Sequence, residues 1–323
     1  MAKTVSVFTL GGTISARDRA SSPRLTGERL LADAAGAVPA DVGVEVHDVR
    51  KLPSSSLDFE DVAELADHVE RARGAGHGVV VVQGTDTLEE TAFLLDLACA
   101  PGTPVVVTGA MRRPDLPGAD GPANLAAAVT VAADPGCAGL GVLVVLADEI
   151  HAARHVRKTH TTSVATFASP GAGPVGTVVE GRPRVLLRPA RPVADRPLPL
   201  RGTARVALVT LSLGDRGELL DAVDGRFGGL VVAAFGAGHV PAWLVEPLAA
   251  LAARIPVVLA SRTGAGPLLG HTYRGPGSEH DMLGRGLLSA GTLDAPKARL
   301  LLYALLADGA DRAQVAAEFA ELA

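Results

Sequence analysis

Apolar runs alternate with amphipathic segments along most of the chain. Strands are predicted at residues 5–10, 44–49, 79–82, 105–108, 142–146, 206–211, 230–234 and 257–260, where each Val-rich run is ended by Gly, Asp or Ser. Such apolar runs are typical of buried parallel strands. Between them, helices are predicted at residues 60–72, 88–98, 124–132, 242–253 and 295–308. Repeated strand–helix alternation predicts βαβ units in a doubly wound, mostly parallel sheet.

The alternation is interrupted after Ser169. Residues 175–179 and 184–187 flank Glu180-Gly181-Arg182-Pro183, which predicts a β-hairpin. A Pro-rich stretch follows and predicts a stiff polar linker. We therefore predict a larger N-terminal α/β domain that carries the chemistry, a linker and a smaller C-terminal parallel α/β domain. Their predicted bounds are residues 1–188, 189–202 and 203–323.

Composition narrows the class of protein. A length of 323 residues suits two domains, and 48% hydrophobic with 20% charged residues is typical of a globular chain. The net charge of -5 argues against nucleic-acid binding, because there is no basic field to collect phosphates. No apolar run is long enough to span a bilayer, and the N-terminus lacks a secretory pattern. With Cys99 and Cys137 both in apolar stretches, we expect reduced thiols and a cytoplasmic enzyme.

Ligands of such sheets bind beyond the carboxyl ends of the strands, so the residues that follow each run matter most. The first strand is followed by Gly11, Gly12 and Thr13. The two glycines allow a tight turn and close approach of a substrate to the backbone. The segment matches neither a dinucleotide-binding motif nor a P-loop. A plain strand-to-helix turn is an equally good interpretation of this segment alone.

The third strand is followed by Thr85 and Asp86. Thr87 and Glu90 have the spacing of a capping box, so a helix is predicted to begin directly after Thr87. Thr85 and Asp86 then lie at the positive end of a helix dipole, which suits a substrate carboxylate or a developing oxyanion. Glu89 and Glu90 are better interpreted as first-turn helix charges than as a catalytic pair.

Lysine is rare in this Arg-rich chain, and Lys158 stands directly after Arg157 in the polar stretch that follows the fifth strand. A desolvated lysine whose pKa is lowered can accept a proton from a hydroxyl nucleophile. Arginine cannot do so, because it stays protonated in proteins. A Thr85–Asp86–Lys158 constellation is therefore chemically sensible, and a solvated surface lysine is the alternative.

Neither a metal nor a cofactor is predicted. His151, His155 and His160 are close in sequence, but a metal site would need a further ligand and supporting partners that are not evident. The Gly-x-Ser-x-Gly signature of serine hydrolases is not present in the chain.

Several motifs together resemble the bacterial-type asparaginases and glutaminase-asparaginases over nearly the whole length. The motifs are GGTI at 11–14, GTDTLEETA at 84–92, TGAMR at 108–112, ADGPANL at 119–125, KTHTT at 158–162, VATF at 164–167 and SAGTL at 289–293. Each motif alone is weak, whereas their shared order and spacing are highly specific.

The resemblance implies a role for several residues. Thr85, Asp86 and Lys158 match the family's second catalytic triad, which activates the attacking hydroxyl or water. Backbone groups at Gly11 and Thr85 would bind the amide oxygen, Ser54 the substrate α-carboxylate and Asp86 the α-ammonium. The carbonyl of Ala110 would meet the leaving nitrogen. The same motifs add Gly12, Thr13, Gly84 and Met111 to the implied substrate-binding set, and Ser55 joins it next to Ser54.

The resemblance also implies an assembly, typically a homotetramer built from dimers or at least a homodimer. Glu279 matches a residue that reaches into the site of a neighbouring subunit. We therefore expect an active site at the domain interface that is shared between subunits, with a small amino acid as substrate.

The sequence departs from the family pattern at the nucleophile. The family reads Thr-Gly-Gly-Thr-Ile at its first motif and uses the first Thr covalently, whereas Leu10 holds that position here. Thr9 is displaced by one residue and is predicted to face the opposite side of the strand. The loop at 15–25 lacks the Tyr that usually assists, and Ser55 and His239 replace amide side chains that contact the substrate.

These features predict an asparaginase-like amidohydrolase that releases ammonia from the side-chain amide of Asn or an analogue. Thr85, or a water activated by Lys158, would attack in place of the missing Thr. Two alternatives remain open because of Leu10. One is elimination or transfer on a small amino-acid-like substrate, and the other is a non-catalytic small-ligand sensor.

Overall fold

The computed structural model of the protein describes residues 3–16, 25–189 and 196–321. The chain divides into two compact α/β units, Met1–Pro197 and Leu198–Ala323. The predicted loop at 15–25 and the predicted linker at 189–202 lie partly outside the described residues, at 17–24 and 190–195.

The strands and helices of the first unit follow the predicted alternation. Its strands are β1 (Lys3–Thr9), β2 (Val42–Asp48), β3 (Gly78–Val82), β4 (Val105–Thr108), β5 (Val142–Leu146), β6 (Glu149–Ala152), β7 (Arg157–Lys158), β8 (Phe167–Ala168), β9 (Gly176–Val179) and β10 (Arg182–Val185). Its helices are α1 (Gly27–Ala34), α2 (Phe59–Gly74), α3 (Leu88–Ala98) and α4 (Gly121–Ala132). Short 3-10 turns occur at Thr13–Ser15, Ser54–Ser56 and Pro135–Cys137.

Among the described residues, the larger sheet has eight strands in the order β10-β9-β6-β5-β4-β3-β1-β2. Strands β2, β1, β3, β4 and β5 are parallel, and β6, β9 and β10 continue the sheet in antiparallel pairings. The chain passes from β1 to β2 on one side and then returns to β3 on the other side of β1. The carboxyl ends of β1 and β3 therefore form a topological switch point, where a ligand crevice is expected.

Helices cover the parallel part of the sheet. Val5, Val7, Val80, Val82 and Val106 belong to a core that also includes apolar side chains of α1 and α4. Helices α2 and α3 pack against each other and against β3, β4 and β5. The central strands β3, β4 and β5 are fully buried, which explains their continuous apolar runs.

Strand β2 differs from the prediction of a buried strand. It forms the edge of the sheet, and its residues alternate between half-buried and exposed. The sequence Val42-Gly43-Val44-Glu45-Val46 has the period of two that such an edge strand requires. The predicted strand is confirmed, but its predicted burial is wrong, because polar or small residues alternate with the valines.

The predicted hairpin is confirmed as β9 and β10, but its turn is shorter than predicted. Arg182 and Pro183 pair within β10, so Glu180 and Gly181 alone form the turn, with φ of 51° and 68°. Two consecutive positive φ values are typical of a type I′ hairpin turn. A second hairpin joins β5 to β6 through Ala147 and Asp148, also at positive φ. It was not predicted, because the apolar run ends at Leu146.

The second unit contains a smaller sheet of parallel strands in the order β11-β12-β13-β14. Its strands are β11 (Val206–Thr210), β12 (Gly229–Ala234), β13 (Val257–Ser261) and β14 (Leu288–Ser289). Its helices are α5 (Glu218–Asp221), α6 (Val245–Ala252), α7 (Glu279–Gly284), α8 (Ala295–Ala307) and α9 (Arg312–Ala320), and a 3-10 turn at Ala242–Leu244 precedes α6. Helix α8 packs against β11, β12 and β13, while α6 packs against β13. The predicted α/β class with two parallel sheets is thereby confirmed.

Helices α1, α5, α7 and α9 were not predicted. Helix α1 is short, and Thr26 caps it by accepting a hydrogen bond from the Arg29 backbone N–H.

Within residues 3–16, 25–189 and 196–321, no helix is both long and apolar enough to cross a membrane.

Candidate active site

Glycines bring the loops after β1 and β3 into direct contact at the switch point. Gly11 and Gly12 have φ of 104° and 94°, which side-chain-bearing residues rarely adopt. A Cβ on Gly12 would lie 2.2 Å from the backbone nitrogen of Gly84, and a Cβ on Gly84 would lie 2.7 Å from Ser54 Oγ. The predicted residues Gly11, Gly12, Gly84 and Ser54 therefore lie close together at the switch point, where the ligand crevice is expected.

Ser54 ties the 3-10 turn after β2 to the loop after β3. Its Oγ accepts a hydrogen bond from the Asp86 backbone N–H at 3.1 Å, and its carbonyl accepts one from Thr87 Oγ1 at 2.9 Å. Ser54 itself is buried, whereas the adjacent Ser55 is exposed. The predicted capping box is wrong, because Thr87 uses its hydroxyl on Ser54 and makes no side-chain cap. Helix α3 nevertheless begins directly after Thr87, as predicted.

Three residues singled out from the sequence are brought together at the crevice. Lys158 Nζ donates to Thr85 Oγ1 at 2.9 Å and to Asp86 Oδ1 at 3.2 Å. Thr85 is 4% exposed, and the side chains of Lys158 and Asp86 are 20% and 62% exposed. A buried hydroxyl thus contacts an amine that is itself paired with a carboxylate open to solvent. Such an arrangement can move a proton to or from the hydroxyl or a neighbouring water.

Lys158 belongs to a short antiparallel pair outside the main sheet. In β7 and β8, Lys158 lies opposite Phe167, and the next residue, Thr159, donates to the Thr166 carbonyl from both its backbone nitrogen and its hydroxyl, each at 2.8 Å. The backbone N–H of Lys158 donates to the carboxylate of Glu89 in the first turn of α3. The lysine is therefore held from β8 and from α3.

The loop after β4 carries Ala110 and Met111 and is fixed by two polar side chains of the α4 region. Asp120 accepts hydrogen bonds from the backbone nitrogens of Met111 and Arg112, both at 2.9 Å. Asn124 is buried, donates to the Gly109 carbonyl at 3.0 Å and accepts from the Ala147 backbone nitrogen at 3.0 Å. The position of the Ala110 backbone is thus fixed by groups on both sides of it.

The β1 side of the crevice carries no hydroxyl at residue 10. Leu10 is 1% exposed, and its backbone pairs with Val82 and Leu52. Thr9 donates its hydroxyl to Asp48 Oδ1 on the neighbouring strand at 2.7 Å, in line with the predicted opposite orientation. Burial raises the pKa of Asp48, but the hydrogen bonds from Thr9 and the Gly27 backbone and the charge of Lys51 lower it overall. Thr13 lies in the following 3-10 turn and is half-buried.

Glu279 lies in the second unit at the start of α7 and is 0% exposed. Its Oε1 accepts hydrogen bonds from the backbone nitrogens of Thr272 and Tyr273 at 3.0 and 2.8 Å, and Oε2 lies 3.3 Å from His239 Nε2. Burial acts to raise the pKa of Glu279, yet the backbone N–H donors and His239 lower it overall. The His239 and Tyr273 rings meet edge to face at 4.7 Å.

His151 and His160, which are close in sequence, contact other protein groups in the structure. His151 is buried in β6 between Ser169 Oγ and the Glu149 carboxylate, and burial lowers its pKa. His160 Nδ1 accepts hydrogen bonds from the backbone nitrogens of Thr162 and Ser163. In the part of the chain that the structure describes, no group of three or more His, Cys, Asp or Glu side chains could hold a metal ion.

Cys99 and Cys137 are free thiols, and burial raises the pKa of Cys137 to about 11.

Family sequence models match both units of the chain. The model described as "Asparaginase, N-terminal" matches residues 4–191, and the model described as "Glutaminase/Asparaginase C-terminal domain" matches residues 205–319. The chain belongs to the asparaginase family of amidohydrolases. The resemblance inferred from its motifs is confirmed.

Curated relatives of the asparaginase family align over nearly the full length. The chain is 40% identical over 318 residues to "Probable L-asparaginase" of Deinococcus radiodurans, covering 96% of this chain and 95% of the relative. It is 34% identical over 318 residues to "L-asparaginase" of Bacillus licheniformis, covering 95% and 96%. It is 33% identical over 323 residues to "L-asparaginase 2" of Escherichia coli, covering 96% and 91%.

Sequence reasoning missed the residues that hold this asparaginase-family site in place. The sequence predicts only a first-turn helix charge for Glu89, whereas the structure shows that its carboxylate binds the Lys158 backbone, 69 residues away in the sequence. Asp120 and Asn124 were seen only as parts of a motif. Asn124 could have been recognised, because it is the only Asn in the chain. Its side-chain amide both donates and accepts hydrogen bonds, so a substitute would have to provide both a donor and an acceptor.

Proposed function

We propose that the protein hydrolyses the side-chain amide of asparagine or a close analogue and releases ammonia, with Thr85, Asp86 and Lys158 as its catalytic residues. The observation that carries the proposal is the contact of Lys158 Nζ with Thr85 Oγ1 at 2.9 Å and with Asp86 Oδ1 at 3.2 Å, at the switch point of the larger sheet. Membership of the asparaginase family supports the reaction class.

Lys158 acts as the base in this proposal. It takes a proton from Thr85 or from a water next to it, while the new carbon–oxygen bond forms at the amide carbon. Collapse of the tetrahedral intermediate breaks the carbon–nitrogen bond, and the proton held by Lys158 passes to the departing nitrogen. If Thr85 attacks, a water then cleaves the resulting ester. Backbone N–H groups at Gly11 and Thr85 stabilise the oxyanion in the way preorganised donors do.

In this proposal, Thr85 or a water attacks because residue 10 carries no hydroxyl. Leu10 has no hydroxyl and is 1% exposed, so the covalent route through this position is closed. The polar groups opposite it provide a base, and a positioned base typically contributes about 100- to 10,000-fold.

The same crevice provides groups for recognition of an α-amino acid. Ser54 Oγ accepts from the Asp86 backbone, and its own proton has no acceptor among the described residues, so it is available to a substrate carboxylate. The Asp86 carboxylate is exposed enough to receive an α-ammonium. We assign Gly12, Thr13, Ser55, Gly84, Ala110 and Met111 to the remaining substrate contacts, with the Ala110 carbonyl meeting the leaving nitrogen.

We further propose a homodimer or homotetramer in which Glu279 serves the crevice of a neighbouring copy, and a cytoplasmic location. Family membership supports the assembly, and activity should then fall when the protein is diluted to monomer. Relatives differ in location, since one is named "Probable L-asparaginase periplasmic" in Haemophilus influenzae.

Ammonia release from a panel of amides tests the function. The panel contains L-Asn, L-Gln, their D-isomers and simple β-amides, with products identified by mass spectrometry. We expect ammonia and the matching carboxylic acid in equal amounts from Asn or a close analogue. An unsaturated product would show that the reaction is an elimination and not hydrolysis. A product that carries a transferred group would show that it is a transfer. Ligand-dependent thermal stabilisation without any product would make the protein a sensor.

A further inference from the structure

Glu89 makes a contact that its place in the helix does not require. It lies half-buried in the first turn of α3, and its carboxylate accepts a hydrogen bond from the backbone N–H of Lys158. The two residues are 69 positions apart in the chain, so this contact is tertiary. A hydrogen bond to an ionised carboxylate is among the stronger ones in proteins.

The same lysine is bound at its other end by residues just before Glu89. Lys158 Nζ contacts Thr85 and Asp86, which form the loop that leads into α3. The start of α3 therefore holds both the backbone and the amine of Lys158. The strand that carries Lys158 is only two residues long, Arg157–Lys158, so Glu89 adds a restraint on its backbone to the pairing with β8.

We propose that Glu89 is a positioning residue that keeps the Lys158 amine within reach of Thr85. The role rests on the proposed amide hydrolysis, in which Lys158 is the base. A displacement of about 1 Å in a catalytic group can lower a rate by ~100-fold. Loss of the Glu89 carboxylate should therefore lower kcat without removing any group that touches the substrate.

Glu90 offers a matched control. It is also half-buried in the first turn of α3, and it carries the same charge next to the same helix dipole. Removal of either carboxylate costs the helix a favourable charge, whereas removal of Glu89 alone frees the Lys158 backbone. Glu89→Gln is the conservative variant, because its amide oxygen can still accept the hydrogen bond.

The experiment compares Glu89→Ala, Glu89→Gln and Glu90→Ala with the wild type in the full chain. We expect Glu89→Ala to lower kcat by about 10- to 100-fold, with a much smaller change in KM. Glu89→Gln should recover most of the rate, and Glu90→Ala should stay close to wild type. Hydrogen exchange of the Lys158 backbone amide should accelerate in Glu89→Ala and stay unchanged in Glu90→Ala.

A readout without turnover separates this proposal from the proposed function. Competitive acylation of amines, with Lys3 as internal reference, reports how accessible the Lys158 amine is. We expect faster labelling of Lys158 in Glu89→Ala only. If wild type hydrolyses no amide but exchange and labelling change as expected, hydrolysis fails and the positioning stands. Unchanged exchange and labelling, or wild-type kcat in Glu89→Ala, would overturn the positioning role.

Discussion

The two sides of the crevice at the switch point are built very differently. On the β3 side, a buried Thr85 hydroxyl, the Lys158 amine and the Asp86 carboxylate form one hydrogen-bonded group. On the β1 side, Leu10 is apolar, and the nearby Thr9 hydroxyl is committed to Asp48. The described polar side chains that could take part in proton transfer therefore lie on the β3 side, while residue 10 on the β1 side is apolar.

The largest expected effect comes from the amine on the β3 side. Lys158→Arg keeps the positive charge but removes the ability to accept a proton, because arginine stays protonated. We expect kcat/KM for the amide substrate to fall by at least ~100-fold. Steady-state ammonia release measures it, and Lys3→Arg, at the exposed start of β1, is the matched control. A near-normal rate in Lys158→Arg would make Lys158 structural and erase the contrast between the two sides.

A smaller effect is expected for the hydroxyl on the β1 side. Thr9→Val removes the hydrogen bond to Asp48 and should leave turnover unchanged while lowering the free energy of unfolding by about 1–2 kcal/mol. The Asp48 pKa is lowered in the folded state, and the bond from Thr9 contributes to that shift. The stabilisation from this hydrogen bond is therefore present above the pKa of about 3.9 that Asp48 has in the unfolded chain. It is lost as the pH falls through the lower pKa of Asp48 in the folded protein.

Denaturant unfolding at several pH values checks this expectation. The difference between wild type and Thr9→Val should shrink below about pH 4. Thr130→Val is the control, since the Thr130 hydroxyl donates to the uncharged Ala126 carbonyl within α4. The effect of its removal on stability should be independent of pH. Lost turnover in Thr9→Val would assign chemistry to the β1 side as well.

The grouping of Thr85, Asp86 and Lys158 on the β3 side could be predicted from the sequence, whereas the contact that holds the Lys158 backbone could not. Thr85 and Asp86 directly follow a clear apolar strand, and a lone Lys158 is conspicuous among arginines. Glu89 could not be predicted, because its contact depends on how β7 lies against α3. Local spacing describes a residue's own helix, and it carries no information about a backbone N–H 69 residues away.

The same limit applies to the fold. Strands β3, β4 and β5 are buried on both faces, so their apolar runs could be recognised directly. Strand β6 includes Glu149 and His151, and its short mixed sequence resembles a loop until its pairing with β5 is known. The Thr87 hydroxyl fits a capping box locally but binds the Ser54 carbonyl instead. Tertiary partners therefore decide what polar side chains do.

We propose that the residues of the β3 side hydrolyse an amide without a hydroxyl at residue 10. Wild type and Leu10→Thr can be compared by ammonia release and by intact-protein mass spectrometry during turnover, after thermal unfolding has shown that both are folded. We predict that wild type releases ammonia without an adduct at residue 10, and that Leu10→Thr forms an acyl adduct there and gains about tenfold in rate, equivalent to ~1.4 kcal/mol of barrier. Absence of amide turnover in wild type, with activity appearing only when residue 10 carries a hydroxyl, would contradict the claim.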